Sequence, residues 1–514
     1  MQTIIFSDVL YPGYGKNAGA YRLATELRNN GYTCLVVDLF SKFSLEEISK
    51  IIDKFVTNDT IWVGFSTTFF LPSMAVTDDE TVTKKLSFHE IHEKVFAKIS
   101  DSHSGFPFST STMKEIFHYI KSKSNKVKIV IGGARTYDAQ EYDALHKGVI
   151  ADYYVHGYAD TAIVELTNWL VSDKNPIPIF HGKYKCVMNA TKDYDFTTFN
   201  TAPIKFIKED YITPNEHLPI EIARGCIFKC KFCNFSLLGK KRGDYTKTKE
   251  TLINEFMYNY ETYGTTNYMF MDETTNDSME KAEFLLDITS SLPFKIKWGG
   301  YARIDLFYSN PEMASIMLET GLAHTFFGIE TFNKKSGSAV GKGLDPDKVK
   351  QTLISLREIW KSDVRITSGL MIGLPHETKQ TLKDLENYLL SDECALDSWV
   401  LFPLMLSHNT LFGQDPVKYG YHVTDEDKAN GFQFNWRNND MNLIEAIQIA
   451  NEIKVNTNHC CKITQGSHSR LQNLGFSEQE VDSWTMNSYI DNMPIIRHKL
   501  LERKDNYFKH LMSL

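Results

Sequence analysis

One stretch limits what this chain can become: Arg224-Gly225-Cys226-Ile227-Phe228-Lys229-Cys230-Lys231-Phe232-Cys233. Its three cysteines stand at C-x3-C-x2-C, with an aromatic, Phe232, just before the last. Three thiolates on so short a loop can hold three irons of a [4Fe–4S] cluster. The loop has no fourth cysteine, so one iron would stay open to an outside ligand, as a catalytic zinc site keeps a free position. A closed cluster only carries electrons, whereas an open iron is a place for chemistry. Two plainer readings compete: a zinc knuckle, or three unrelated buried cysteines. Zinc generally takes four ligands, and no fourth Cys or His lies close by in the chain. Lys229 and Lys231 suit an anionic cluster and are also ordinary surface residues.

Around the loop, short β-rich runs alternate with helical patterns. Candidate strands are Pro219–Ala223, Tyr268–Met271, Lys295–Tyr301, His324–Gly328, Arg365–Ile372 and Ser398–Leu404, with a candidate helix at Leu252–Tyr263. Such alternation makes an open, three-quarter barrel of parallel strands, with functional groups at the strands' carboxyl ends. The cysteine loop leaves the first strand at that end. Polar residues stand at the same end of the others. They are Asp272-Glu273, then Arg303 and Asp305, then Gly328-Ile329-Glu330-Thr331, then Gly373-Leu374-Pro375-His376-Glu377-Thr378. Singly, each suits a strand-end cap or a salt bridge to a neighbouring helix. Several in register after a cysteine loop are a stronger signal.

The string C-x3-C-x-aromatic-C resembles the signature of the radical S-adenosylmethionine (SAM) superfamily. The strand ends are similar to that family's F-x-D-E, R-x-D, G-x-E and G-L-P-x-E-T landmarks. The resemblance implies that Cys226, Cys230 and Cys233 ligate a [4Fe–4S] cluster and that SAM chelates its open iron. An electron from the cluster would then cleave the sulfonium and yield a 5′-deoxyadenosyl radical. Asp272, Glu273 and Glu330 are the implied carboxylates for the ammonium and ribose hydroxyls of SAM. Arg303 would hold the SAM carboxylate, with Gly373 and Phe232 beside the adenine. An external electron donor such as a flavodoxin or ferredoxin is implied as well.

Ahead of the barrel, a second strand–helix alternation occupies residues 1–174. Candidate strands are Thr3–Ser7, Thr33–Leu39, Thr60–Ser66, Lys126–Gly132 and Asp152–Val155, with helices at Ala20–Asn30, Leu45–Phe55, Met113–Ser122 and Thr161–Val171. This pattern predicts a doubly wound, flavodoxin-like sheet that binds its ligand at the carboxyl edge. Standing before a radical SAM core, the domain resembles the cobalamin-binding domain of a large radical SAM subclass. Asp8, Gly13, Ser66, Gly132 and Gly133 are the implied cobalamin contacts. The family motif D-x-H-x-x-G appears here as Asp8-x-Leu10-x-x-Gly13, with leucine in place of the lower cobalt ligand. Relatives lacking that histidine bind cobalamin with its lower face open. A vestigial docking domain is the competing reading, with Asp8 capping a turn and Gly132-Gly133 a plain strand-end turn.

The expected organisation is therefore α/β: a cobalamin-binding-like Rossmann domain at 1–174, a linker at 175–215, a partial (β/α)6 radical SAM barrel at 216–412, and a mostly helical region at 413–514 that caps the barrel mouth. A polar insertion lies between Ala75 and Thr112. In the tail, Leu443, Ile447 and Ala450 share one helix face. His459-Cys460-Cys461 and His468 favour packing over a second metal site, because adjacent helical cysteines point about 100° apart. Trp436, Trp484 and Tyr489 read as core.

Composition narrows the partners. The chain has 514 residues and a net charge of −8, which offers no bulk basic surface to nucleic acid. No apolar run approaches the ~20 residues of a membrane span. Eight cysteines in so long a chain are no disulfide framework, so a reducing cytoplasm is the expected compartment. The leading expectation is a cobalamin-dependent radical SAM methyltransferase acting on a small molecule or peptide, with no side chain singled out as catalytic. The alternatives are a radical rearrangement, cyclisation or oxidation without methyl transfer, and an iron–sulfur electron carrier or sensor.

Overall fold

The computed structural model describes residues 1–8, 13–66, 110–133, 151–172, 187–189, 196–233, 245–408, 410–428 and 434–514. Its first sheet contains β1 (Thr3–Phe6), β2 (Cys34–Val37), β3 (Trp62–Ser66), β4 (Lys128–Gly132), β5 (Tyr153–His156) and β6 (Val187–Asn189). The strands run parallel in the order β2-β1-β3-β4-β5-β6. The β1 and β2 residues are all buried, which is why these strands read as continuous apolar runs rather than alternating ones. Helices cover both faces. Ala18–Asn29 starts at Asn17, whose side chain accepts the Gly19 N–H. Leu45–Phe55 starts at a Ser44/Glu47 capping box.

The second sheet contains β7 (Leu218–Glu221), β8 (Asn267–Met271), β9 (Lys297–Ala302), β10 (Leu322–Glu330), β11 (Arg365–Ile372) and β12 (Ser398–Pro403). These strands are also parallel, but they lie in strict chain order, β12-β11-β10-β9-β8-β7. A helix such as Lys249–Tyr263, Met279–Ser290, Pro346–Trp360 or Lys379–Leu389 follows or separates them. Right-handed crossovers without a reversal keep every helix on one side, so the opposite side becomes the lumen of the expected partial barrel.

Two expectations are corrected here. The stretch 175–215 is more than a linker: Val187–Asn189 adds the sixth strand to the first sheet, beside β5. The C-terminal region does more than approach the barrel. Leu443–Thr457 packs against β11 and β12, but the last helix, Met493–Ser513, returns to the outer face of the first sheet. There Tyr507 donates to the Val36 carbonyl at 2.9 Å and accepts the Asp38 N–H at 3.2 Å, and Lys504 meets Glu47 at 2.6 Å. The physical reason is apolar surface: Tyr507 and Leu511 complete the core formed by Ile48, Ile51, Phe55 and Ile116. The insertion 75–112 and Leu10 lie outside the described residues, apart from the first residues of the helix Thr110–Lys123.

The carboxyl ends of the two sheets meet at one seam. Asp160 opens the helix Asp160–Ser172 just after β5, and Arg224 follows β7. Their side chains pair at 2.6 Å, with Arg22 also 3.0 Å from Asp160 and Glu221 2.9 Å from Arg224. One hydrophobic core runs from the inner helices of the first sheet into the barrel. Among the described residues no helix is long and apolar enough to cross a membrane.

Candidate functional site

The cysteine loop begins two residues beyond β7. Gly225 takes a positive φ of 76° that lets the chain turn there. Cys230 is buried, while Cys226 and Cys233 are half-buried. Two side chains address the sulfurs. The Arg303 guanidinium lies 3.4 Å from Cys230 Sγ, and Thr274 Oγ1 lies 3.4 Å from Cys226 Sγ. The loop backbone is clamped from outside, since Lys231 donates to the Val340 carbonyl at 3.1 Å and accepts from the Phe412 N–H at 3.0 Å. Phe232 packs half-buried against the core.

Arg303 is the hub of this region. Besides Cys230, it holds Asp305 in a two-pronged pair at 3.0 and 2.7 Å and lies 3.9 Å from the centre of the Phe228 ring. Its backbone is locked by Asn276, which exchanges hydrogen bonds with it at 2.8 and 2.9 Å. The sequence expectation gave Arg303 to a ligand carboxylate; the structure gives it Asp305 and a sulfur. Asp272 is likewise engaged within the protein. Its side chain has no exposed surface and pairs with buried Lys281 at 2.6 Å, while also accepting the Thr274 N–H at 3.0 Å. A buried ammonium needs such a partner, so Asp272 holds the strand end through Lys281. Glu273, one residue on, is half-buried.

Glu330 is presented by a distortion. The β10–β11 register slips between Gly328 and Glu330, and Glu330 sits at φ 70°. A bulge of this kind re-aims the side chain at a strand end. The carboxylate folds back over Gly328, where a Cβ would come within 2.6 Å of it. Lys342 stands 3.9 Å away. Burial pushes the Glu330 carboxyl up to about 7, against the pull of Lys342 and Arg303. Glu377 is likewise raised to about 7 by burial, although it accepts N–H groups from Gly373 and Leu374 at 2.8 and 3.0 Å and the Thr331 hydroxyl at 3.1 Å. Gly373 has φ 98°, and the space a Cβ would need is filled by the Trp436 ring at 2.3 Å. The openness expected there for an adenine is used, on that side, by tryptophan.

Inside the barrel, accessible apolar surface remains. Tyr301 is 51% and Phe402 45% exposed, although both stand on lumen-facing positions of their strands. The amino end of the lumen is plugged by Gln465, whose amide would touch a Cβ at Gly299 within 2.4 Å. His468 leads away from the tail cysteines, pairing with Asp482 at 2.9 Å.

At the first sheet, Ser66 and Gly132 are register partners at the ends of β3 and β4, with Gly133 next at φ 113°. Asn17 reaches Ser66 at 3.4 Å. These three expected contacts therefore come together on one edge. Asp8 is buried and accepts the Ser41 N–H, 33 residues on, at 2.9 Å. At Gly13, with φ 122°, the free side is taken by Arg470, whose Cβ lies 2.6 Å from where an alanine Cβ would sit.

Sequence reasoning missed Arg470 and His156, and it read Trp436 as core without placing it over Gly373. Arg470 is wedged between the loop after β1 and Tyr301 of the barrel, its pKa lowered by burial. His156 ends β5 and is pushed down to about 4 by burial, so it is neutral at pH 7. Nothing in the local pattern marks these residues, because their neighbours come from distant parts of the chain.

Residues 220–389 match the sequence profile of the Radical SAM superfamily, so the barrel is a radical SAM domain. An anaerobic magnesium-protoporphyrin IX monomethyl ester cyclase of Cereibacter sphaeroides is 26% identical over 184 residues, which is 35% of this chain and 29% of that protein. An uncharacterized methyltransferase of Synechocystis sp. is 24% identical over 276 residues, 51% of this chain and 49% of that one. The chain thus spans half or less of these relatives. Among solved structures, the radical SAM methyltransferase TsrM from Kitasatospora setae, with cobalamin and a [4Fe–4S] cluster bound, superposes with a TM-score of 0.66 at 12% identity, covering 98% of this chain and 99% of that one. The cobalamin-dependent radical SAM enzyme OxsB with aqua-cobalamin bound gives 0.54 at 13% identity, covering 100% and 84%. At such identities the likeness is one of fold: Rossmann-like sheet, radical SAM barrel, helical C-terminal region.

Proposed function

We propose that this chain is a cobalamin-dependent radical SAM methyltransferase. One observation carries the reading: three cysteines follow β7 at its carboxyl end, and Arg224 at the head of their loop pairs with Asp160 at the carboxyl edge of a flavodoxin-like sheet. Three thiolates on one short loop, with no fourth Cys or His close by in the chain, fit a cluster of several irons better than a zinc knuckle. The sulfurs also have the hydrogen-bonding neighbours that such clusters use, Arg303 at Cys230 and Thr274 at Cys226. When bound, the cluster and SAM supply a radical and cobalamin carries the methyl group.

The chain's own residues would do the rest. Cys226, Cys230 and Cys233 hold the cluster. Glu330 and Glu273 are the lumen-side carboxylates left for SAM, since Asp272 is committed to Lys281. Ser66, Gly132 and Gly133 form a low edge on which a broad flat ligand can lie. Tyr301 and Phe402 offer apolar surface to substrate and exclude water when covered. A cytoplasmic setting and an external electron donor complete the reading.

A second reading keeps the radical and omits methyl transfer. It is favoured by the cyclase relative, whose match covers 35% of this chain. Anaerobic reconstitution with iron, sulfide and cobalamin, followed by assay of SAM products, separates the two. S-adenosylhomocysteine together with 5′-deoxyadenosine is the expected result. Deoxyadenosine alone would favour the second reading, and neither product would leave an electron carrier.

A further inference from the structure

The cysteine loop has two sides. Toward the lumen stand Arg303 and Thr274. On the other side Lys229 is exposed, and Lys231 and Lys418 flank the Tyr419 ring at 5.4 and 5.7 Å from its centre. The backbone contacts of Lys231 with Val340 and Phe412 fix this arrangement, and a Cβ added at Gly341 would stand 3.7 Å from the Lys229 carbonyl oxygen. Among the described residues, Lys229, Lys231 and Lys418 form none of the salt bridges, whereas Lys334 nearby is neutralised by Asp345 at 2.9 Å. The adjacent acid, Asp415, turns its carboxylate to the Lys418 backbone N–H at 3.3 Å. Val417, beside them, is 75% exposed. A chain with a net charge of −8 thus gathers three unneutralised lysines and an exposed apolar residue around the segment that carries Cys230.

We propose that this outer face is the docking surface for an acidic electron-carrier protein. The inference rests on the reading above, in which the loop sulfurs hold a cluster. One electron leaves the reduced carrier, which is oxidised, and the cluster gains it; no bond or proton need change place. Lys229 and Lys231 are the residues on either side of Cys230, so a protein seated on them lies one residue from a cluster ligand. Electron transfer falls steeply with distance, and the lumen side is the place for SAM and substrate. Opposite charge steers such encounters and raises their on-rate. Redox partners commonly need only a small, transient interface of under about 1,200 Å², which a loop, Tyr419 and Val417 can supply.

The test uses the full-length reconstituted enzyme and a charge-reversed variant, Lys229→Glu/Lys231→Glu/Lys418→Glu. Cluster reduction is followed optically with reduced flavodoxin and, separately, with dithionite. The expected result is at least a tenfold slower reduction by flavodoxin in the variant, a wild-type rate that falls with added salt, and unchanged deoxyadenosine formation with dithionite. An unchanged flavodoxin rate would overturn the proposal. So would loss of iron or of dithionite-driven turnover in both this variant and Lys229→Gln/Lys231→Gln/Lys418→Gln, since the lysines would then be holding the loop. If wild-type enzyme forms no deoxyadenosine even with dithionite, the cluster reading itself fails and the docking surface falls with it.

Discussion

The two sheets share a strand number and a parallel sense, but they make room for ligands differently. In the first, the order reverses at β1, helices cover both faces among the described residues, and such sheets take a ligand at the carboxyl edge. In the second, strict chain order sends every helix outward, and a lumen is left whose walls include accessible Tyr301 and Phe402. One architecture therefore presents a ledge and the other a cup. They are joined rim to rim by the buried Arg22–Asp160–Arg224–Glu221 network. The difference teaches that strand order alone decides whether a parallel sheet leaves an open edge or an enclosed lumen; the proposed function uses one for each cofactor.

The largest effect should come from emptying the cup. Replacing Cys226, Cys230 and Cys233 by Ala should take SAM cleavage to background and iron content with it. Cobalamin retention, read from absorbance, should survive, because its proposed contacts lie on the first sheet. Cleavage that persists would break the division of labour.

The next test severs the rims. Among the described residues, Arg224→Ala leaves Arg22 as the remaining cationic partner of Asp160. Removing one member of a buried ion pair costs about 3–5 kcal/mol, so thermal unfolding should shift strongly downward. A shift no larger than that of a surface arginine would mean that the apolar core alone joins the halves.

A third test asks whether the cup's wall is as dry as its geometry implies. Burial raises the Glu330 carboxyl from 4.5 to about 7. The folded state then holds the proton more tightly than the unfolded one. Stability from this group is fully present below pH 4.5 and is lost as pH rises through 7. The loss is at most about 3.5 kcal/mol, at roughly 1.4 kcal/mol per pKa unit over about 2.5 units. Glu330→Gln should therefore unfold with a smaller difference between pH 5 and pH 8 than the wild type. Glu377, raised in the same way, supplies the residual slope. Equal slopes in variant and wild type would show a solvated wall.

The smallest effect concerns the ledge. Gly13→Ala would push a Cβ to within 2.6 Å of Arg470 at a φ of 122°. A loss of about 1 kcal/mol or somewhat more is expected in denaturant unfolding, with SAM cleavage unaffected. A neutral result would mean that the loop after β1 has room to move aside.

Much of this was legible in the sequence because it is local. Apolar runs bounded by turns marked the twelve-strand plan apart from β6, and cysteine spacing marked the loop. Strand β6 escaped because three residues, Val187–Asn189, carry no period. The site was legible in part. Carboxyl-end residues could be placed on the right strands, but not their partners. That Asp272 answers Lys281, or that Trp436 fills the space over Gly373, depends on contacts between segments that the chain brings together only on folding. Two of the four glycines expected to meet ligands, Gly13 and Gly373, have side chains of the tail where a Cβ would stand.

The return of the last helix to the first sheet has a consequence for synthesis. Tyr507 and Leu511 cover a face whose strands leave the ribosome hundreds of residues earlier. Until that helix emerges, Ile48, Ile51 and Phe55 lack part of their cover. The core of the first sheet is completed only after the whole barrel has been made.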